Sequence, residues 1–120
     1  MASNAYSFES GQLIVREQAT GRVVCRQTFE VPVLQVLALP GGNGCLVLLD
    51  PSATKDPTFE NLLKVGADGA VVWRAELPKS HDAFVSVSNC SDHVEAQTWN
   101  GYRVEIDLES GRAKKTWFVK

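Results

Sequence analysis

Two short pairs of residues hold both histidines of the chain, each beside a carboxylate: His81-Asp82 and Asp92-His93. Such pairs are typical of acid–base catalysis or of metal binding, so they are the first candidates for chemistry. The segment between them has the pattern of a hairpin with its turn at residues 89–92, and Ser88 would then face His93. At ~3.4 Å per strand residue, the two histidines would lie about 24 Å apart. We therefore expect two solvated loop histidines and no metal site within one chain.

A nucleophilic site would need a cysteine or serine close to a base. Cys90 and His93 share the predicted turn, but this turn is open to water and no third residue is placed to orient the imidazole. The glycine-rich segment at 41–44 is not followed by a helix whose amino end could hold a phosphate, so we expect a hairpin loop there. The sequence therefore predicts no catalytic, metal-binding or cofactor-binding residue, and a protein that is not an enzyme.

The aromatic residues are better candidates for binding. Trp99 falls on the polar side of its strand pattern, and Trp117 and Phe118 are adjacent in a strand, so one of these two rings must point away from the core. An exposed large aromatic side chain usually marks a contact surface. We interpret Trp99, Tyr102, Trp117 and Phe118 as partner-binding residues that contact another protein chain, with packing against a neighbouring loop as the alternative. Trp73 alternates with apolar residues and is predicted to be buried between sheets.

The composition excludes two classes of partner. Twelve Lys and Arg stand against fourteen Asp and Glu, for a net charge of -2, so no basic stripe is available for nucleic acid. The longest apolar run, Cys45–Leu49, is far shorter than the ~20 residues that cross a membrane as a helix. The three cysteines lack metal-site spacing and are expected to be reduced thiols. Together with an amino terminus that lacks the signal-peptide pattern, they predict a cytoplasmic protein.

Alternation of apolar and polar residues with a period of two indicates β-strands along most of the chain. The clearest case is residues 102–108, in which every second side chain is apolar. Cys45–Leu49 is apolar on both faces, which predicts a central strand that is covered on both sides. The segment 56–63 contains Pro57 and is predicted to be a loop that leads into a strand rather than a helix.

An internal repeat organises these strands. Three copies of a strand, a short turn and a second strand can be superposed at Gly21, Gly69 and Gly111, and each glycine follows a threonine, aspartate or serine. We expect each glycine to have a positive φ, because a type I turn that closes through a bulge needs this conformation.

Two further strands are predicted between consecutive turns, at 33–39 and 45–49 and again at 83–88 and 93–99. The predicted fold is one all-β domain, residues 1–120, with about ten strands in an antiparallel meander. It contains a half unit of two strands followed by two four-stranded units like propeller blades. A β-sandwich or a distorted barrel is the alternative.

The hairpins that end in residues 69–73 and 106–111 resemble the strand pairs of PQQ-type β-propeller repeats. This resemblance implies a propeller-like fold, but the quinone and metal ligands of such enzymes have no counterparts here, so no cofactor is implied. The carboxyl-terminal segment, from Trp99-Asn100-Gly101-Tyr102 through Ile106-Asp107 and Ser110-Gly111, resembles a group of short bacterial proteins to which no activity is assigned.

The leading functional interpretation is a non-catalytic protein-interaction module, for example an immunity or inhibitor-type protein. A small-molecule-binding domain is an alternative, as is an enzyme whose site forms only in an oligomer. An open arc of units leaves strands within Gln12–Glu30 and Trp117–Lys120 unpaired, and these have to be covered. The units could fold onto each other within a monomer, as in a sandwich or distorted barrel, or another protein chain could cover them. That chain could be a second copy, which would make a homodimer.

Overall fold

The computed structural model describes residues 4–40, 44–90 and 92–119. It confirms the all-β class, with three antiparallel sheets in which strands that follow one another in the chain are paired. Sheet 1 contains β1 (Asn4–Glu9), β2 (Gln12–Glu17) and β3 (Val23–Gln27). Sheet 2 contains β4 (Val33–Ala38), β5 (Cys45–Leu49), β6 (Leu62–Val65) and β7 (Val71–Arg74). Sheet 3 contains β8 (Phe84–Cys90), β9 (His93–Thr98), β10 (Tyr102–Ile106) and β11 (Ala113–Phe118).

The first unit has one strand more than the sequence predicts. Strand β1 pairs along its whole length with β2, from Asn4 opposite Glu17 to Glu9 opposite Gln12. Its side chains are mostly exposed, so it lacks the apolar alternation that identifies the other strands. The described part of the chain therefore contains eleven strands, and a 3-10 turn at Pro51–Ala53 lies in the connection after β5.

Sheet 2 lies between the other two sheets and has a hydrophobic core on each face. One core lies between sheets 1 and 2 and includes Leu13, Val47 and Leu63. The other lies between sheets 2 and 3 and includes Leu48 and Phe84. Every residue of β5 is buried, which confirms the prediction of a strand that is covered on both sides.

The three repeat turns close as the sequence predicts. Gly21, Gly69 and Gly111 have φ values of 73°, 88° and 78°. In each unit the pairing register shifts by one residue beside the turn, which is the expected bulge. The turns also connect neighbouring units, because Gly111 lies under the indole ring of Trp73, which is half-buried between sheets 2 and 3.

The two outer faces of the stack are polar. In sheet 3 the face that points away from sheet 2 carries polar side chains at every second position: Ser86, Ser88, Glu95, Gln97, Arg103 and Glu105. In sheet 1 the outer face carries Ser7, Glu9, Gln12 and Arg16 around the buried Ile14. Polar outer faces are what end units of repeat proteins need in water. The three-sheet stack therefore has faces suited to solvent at both ends.

A buried asparagine joins sheets 2 and 3. The side chain of Asn61 is fully buried. Its Nδ2 donates hydrogen bonds to the carbonyl oxygens of Leu49 and Phe84, and its Oδ1 accepts one from the Phe84 amide, each at 2.8 Å. This group ties the end of the β5–β6 connection to the start of β8, and both segments border the pocket described next.

Candidate functional site

Three connections meet at one end of sheets 2 and 3 and enclose a pocket, named here the Trp99 pocket. They are the long β5–β6 connection, the end of the β7–β8 connection and the β9–β10 turn. The pocket has a volume of about 280 Å³ and is lined by Pro51, Ser52, Asp56, Pro57, His81, Asp82, Ala83 and Trp99. Trp99 has 79% of its surface exposed, the largest fraction among the exposed large apolar residues of the described chain.

Hydrogen bonds between the connections fix the shape of the pocket. The Phe59 amide donates to the carbonyl of Asp82 at 3.0 Å, and the His81 amide donates to Thr58 Oγ1 at 2.8 Å. From the other side, Asn100 Nδ2 donates to the carbonyl of His81 at 3.0 Å. The walls of the pocket are therefore held together before any ligand binds.

Asp82 is the buried one of the two acidic residues that line the pocket, with 3% of its surface exposed. Its Oδ1 accepts hydrogen bonds from the amides of Ala83, at 2.9 Å, and Asn100, at 3.1 Å. Its Oδ2 is buried and has no hydrogen-bond partner among the described residues. Burying a carboxylate oxygen without a donor is costly, so a donor from a bound group would stabilise this site.

Beside Asp82, the backbone is strained. His81 has φ = 58°, and it is one of two non-glycine residues in the described chain with positive φ. Histidine reaches this region more readily than most residues, but the conformation still costs free energy and has to be held by its surroundings. The hydrogen bonds from Asn100 and to Thr58 hold it here.

The structure separates the four aromatic residues that the sequence marks as partner-binding. Trp99 lines the pocket, whereas Tyr102 and Phe118 pair across β10 and β11 in an edge-to-face contact with ring centroids 5.3 Å apart. Trp117 is half-buried and pairs in register with Arg103, so it lies on the polar outer face of sheet 3. Phe118 remains 57% exposed. The adjacent rings of Trp117 and Phe118 therefore point to opposite faces of sheet 3, as expected.

The two histidines lie at opposite ends of the β8–β9 hairpin, as predicted, but the pairing register differs from the prediction. Cys90, not Ser88, faces His93, while Ser88 faces Glu95. The sequence prediction took four residues as the turn, whereas β8 and β9 continue to Cys90 and His93, so the hairpin is tighter. Glu95, two residues after His93, therefore shares a face with both.

The side chains of Cys90, His93 and Glu95 form a cluster on the outer face of sheet 3, and their ligand atoms all lie within 4.8 Å of one another. His93 Nε2 lies 2.7 Å from Glu95 Oε2, and its Nδ1 lies 2.7 Å from Asp92 Oδ1. The hydrogen bonds to Glu95 and then to Asp92 raise the pKa of His93 above its usual range. The sequence prediction missed Glu95 because it paired His93 with Ser88, which lies two residues before its actual partner Cys90.

The other cysteines offer no comparable group. Cys45 is fully buried in the core between sheets 1 and 2, and burial raises the pKa of its thiol to about 12. Cys25 is half-buried against Gly69 of the next unit. No helix in the described ranges is long and apolar enough to cross a membrane.

Comparison with known proteins assigns the chain to a family. Residues 4–118 match the model of a domain of unknown function, DUF7957. The chain belongs to the DUF7957 family. Among curated proteins, none matches the DUF7957 chain significantly in sequence.

Solved structures confirm the propeller-like arrangement of the DUF7957 chain. It resembles the crystal structure of BamB from Moraxella catarrhalis with a TM-score of 0.62 and 17% identity, over 97% of this chain and 35% of the BamB chain. It resembles the crystal structure of the computationally designed Ika8 protein with a TM-score of 0.63 and 15% identity, over 96% of this chain and 35% of that one. The DUF7957 chain therefore spans about a third of either match, and at these identities the likeness shows the fold alone. The resemblance of its carboxyl-terminal segment to short bacterial proteins stays a prediction.

Proposed function

We propose that the protein is a non-catalytic protein-interaction module that uses the Trp99 pocket to hold a basic side chain of a partner chain. The observation that carries this proposal is the exposed Trp99 ring beside a preformed pocket that is lined by two aspartates, Asp56 and Asp82.

The chemistry of the pocket favours a cation over an anion or a purely apolar group. Asp56 and Asp82 both line it, and no Lys or Arg is among its described lining residues. An aromatic face attracts a guanidinium or ammonium group, and a carboxylate adds a charge-assisted hydrogen bond. Arginine presents a planar fork of donors that suits both contacts. An arginine or lysine on a protein surface is therefore the group that fits best.

The exposed position of the ring favours a protein partner. Tryptophan, tyrosine and arginine are the residues that most often dominate protein–protein interfaces. Phe118 is exposed, and its ring packs edge-to-face against Tyr102, so it offers a second aromatic contact on the edge strand of the same sheet. Partner binding thus keeps three of its proposed residues, Trp99, Tyr102 and Phe118. Trp117 lies on the other face of β11 and is outside the proposed interface.

An immunity or inhibitor-type protein would use this acidic, aromatic pocket to cover a basic patch on the protein that it neutralises. A homodimer stays a prediction from the sequence, and it would place the carboxyl-terminal strand at the interface.

A small-molecule-binding domain is the second candidate, and the volume of the Trp99 pocket, about 280 Å³, is the observation that favours it. The ligand would then be a small organic cation such as an amine. The two candidates share the chemistry of the pocket and differ in whether a protein chain carries the cation.

The test is chemical cross-linking and affinity capture from a native lysate with three baits: the wild type, Trp99→Ala, and Trp117→Ala as a matched control on the other face. We expect one protein to be captured by the wild type and the control, lost from Trp99→Ala, and displaced by an arginine-containing peptide. Equal capture by Trp99→Ala would contradict the proposal. Displacement by free amines with no protein captured would favour the small-molecule candidate.

A further inference from the structure

At the hairpin end far from the Trp99 pocket, the sequence Cys90-Ser91-Asp92-His93-Val94-Glu95 places three different metal-ligating groups on one face of sheet 3. Cys90 and His93 are direct cross-strand partners, and Glu95 follows His93 by two residues. Cross-strand partners have Cβ atoms about 5 Å apart, and residues two apart in a strand share a face. This geometry explains why the thiol, imidazole and carboxylate ligand atoms all lie within 4.8 Å of one another.

The imidazole of His93 is oriented in the way that metal-binding histidines are. Its Nδ1 lies 2.7 Å from Asp92 Oδ1, so Nδ1–H can donate to this carboxylate and leave Nε2 as the ligand atom. A carboxylate on the outer nitrogen is the usual support of a zinc-binding histidine. Nε2 is directed at Glu95 Oε2, at 2.7 Å, so a cation between them would replace the proton that these two atoms share.

Arg103 is one of the charged neighbours of the cluster, and it contacts Glu95 at the oxygen that His93 does not use. Arg103 Nε lies 3.6 Å from Glu95 Oε1, the carboxylate oxygen that does not contact His93. Arg103 therefore holds the carboxylate in place, and its positive charge weakens cation binding relative to a site without it. The side chains of His93 and Glu95 are 28% and 20% exposed, so an ion can reach them from solvent.

We propose that Cys90, His93 and Glu95 bind a borderline divalent transition-metal ion, of which Zn²⁺ is the typical example, with water as the fourth ligand. One thiolate, one imidazole and one carboxylate match the ligands of Zn²⁺ and Co²⁺, and a thiolate is a poor ligand for Mg²⁺ or Ca²⁺. Metal bonds of ~2.0–2.3 Å put ligand atoms about 3.2–3.7 Å apart, so the Nε2–Oε2 pair has to open by about half an ångström. Binding releases the thiol proton of Cys90 and the proton between His93 and Glu95.

The test is a titration of the chelator-treated, reduced protein with Co²⁺, followed by optical absorption. We expect tetrahedral d–d bands, a thiolate-to-cobalt charge-transfer band, and displacement of both by Zn²⁺. Cys90→Ser should abolish the charge-transfer band, while Cys25→Ser, at the other half-exposed cysteine, should keep it. His93→Gln should weaken Co²⁺ binding at least about tenfold, and Asp92→Asn by about 10–100-fold, as expected for the carboxylate that orients a ligand.

The controls separate this site from adventitious binding and from misfolding. His81→Asn, at the other histidine, should bind Co²⁺ like the wild type, and far-ultraviolet circular dichroism should show that every variant is folded. An unchanged Co²⁺ spectrum in Cys90→Ser, or equal loss of binding in His81→Asn and His93→Gln, would overturn the assignment. So would a wild type that shows no charge-transfer band at millimolar Co²⁺, or that binds Mg²⁺ as tightly as Zn²⁺.

Discussion

The three turn glycines have the same backbone conformation but different surroundings, and this difference predicts different costs of substitution. A Cβ added at Gly21, where φ is 73°, would meet nothing within 4 Å. A Cβ added at Gly111, where φ is 78°, would lie 2.6 Å from Trp73 Cε3 and 2.7 Å from Cδ2. Because Trp73 Nε1 also donates to the carbonyl of Leu108 at 3.0 Å, the indole ring is not free to move away.

The cost of each substitution follows from these contacts. Gly21→Ala should lower the free energy of unfolding by about 1–2 kcal/mol, the cost of a left-handed conformation in a residue with a Cβ. Gly111→Ala carries the same cost plus about 1–3 kcal/mol for overpacking against a held side chain. We expect the difference between the two variants to be about 2 kcal/mol, with Gly111→Ala the less stable.

Equilibrium urea unfolding, followed by circular dichroism, measures this difference, and Gly21→Ala is the matched control for backbone strain. The slope of the transition should stay the same in both variants, so that the shift in midpoint reports stability. Equal destabilisation would show that the β10–β11 turn is not packed against Trp73. A neutral Gly21→Ala would refute the left-handed turn itself.

Two single groups and the oligomeric state each give a further prediction. Asn61→Ala should destabilise the protein by about 2–4 kcal/mol, measured by urea unfolding, because it removes three hydrogen bonds to backbone groups of the buried residues Leu49 and Phe84. The pKa of His93 is raised above its usual 6.5, so its ion pairs stabilise the fold fully below pH ~6.5 and lose this effect as the pH rises through the raised pKa. The melting temperature of the wild type should therefore fall over this pH range relative to that of His93→Gln. Identical pH profiles of melting for the two proteins would contradict this prediction. Light scattering should give about twice the 13.1 kDa chain mass if the predicted homodimer forms, with loss of the dimer on deleting residues 115–120, whereas a concentration-independent single-chain mass would exclude it.

Much of the fold could be predicted because it depends on local patterns. The alternation of apolar and polar side chains with a period of two predicts β10, and the run that is apolar on both faces predicts β5. The small polar residue before each turn glycine indicates the repeat. Strand β1 was missed because its side chains are mostly exposed and the pattern carries little signal. The β8–β9 register was wrong because the predicted turn was too long, and this hid the position of Glu95 beside Cys90 and His93.

The Trp99 pocket could not be predicted in the same way. The exposure of Trp99 was expected from its place in the strand pattern, but its neighbours Pro51, Asp56 and His81 come from connections that are far away in sequence. Only the packing of sheets 2 and 3 brings these connections together. The unpartnered oxygen of Asp82 also depends on tertiary structure, because the amides that occupy its other oxygen belong to Ala83 and to the β9–β10 turn.

A nuclear magnetic resonance titration of ¹⁵N-labelled protein shows directly whether the Trp99 pocket holds a basic side chain. The ligands are a short acetylated peptide with one arginine and the same peptide with citrulline, its neutral analogue. We expect the arginine peptide to shift the indole N–H signal of Trp99 and the amide signal of Asn100 in a saturable way, while the Trp117 indole stays unchanged. Equal shifts with the citrulline peptide, or shifts at Trp117 and none at Trp99, would show that the pocket does not bind a basic side chain.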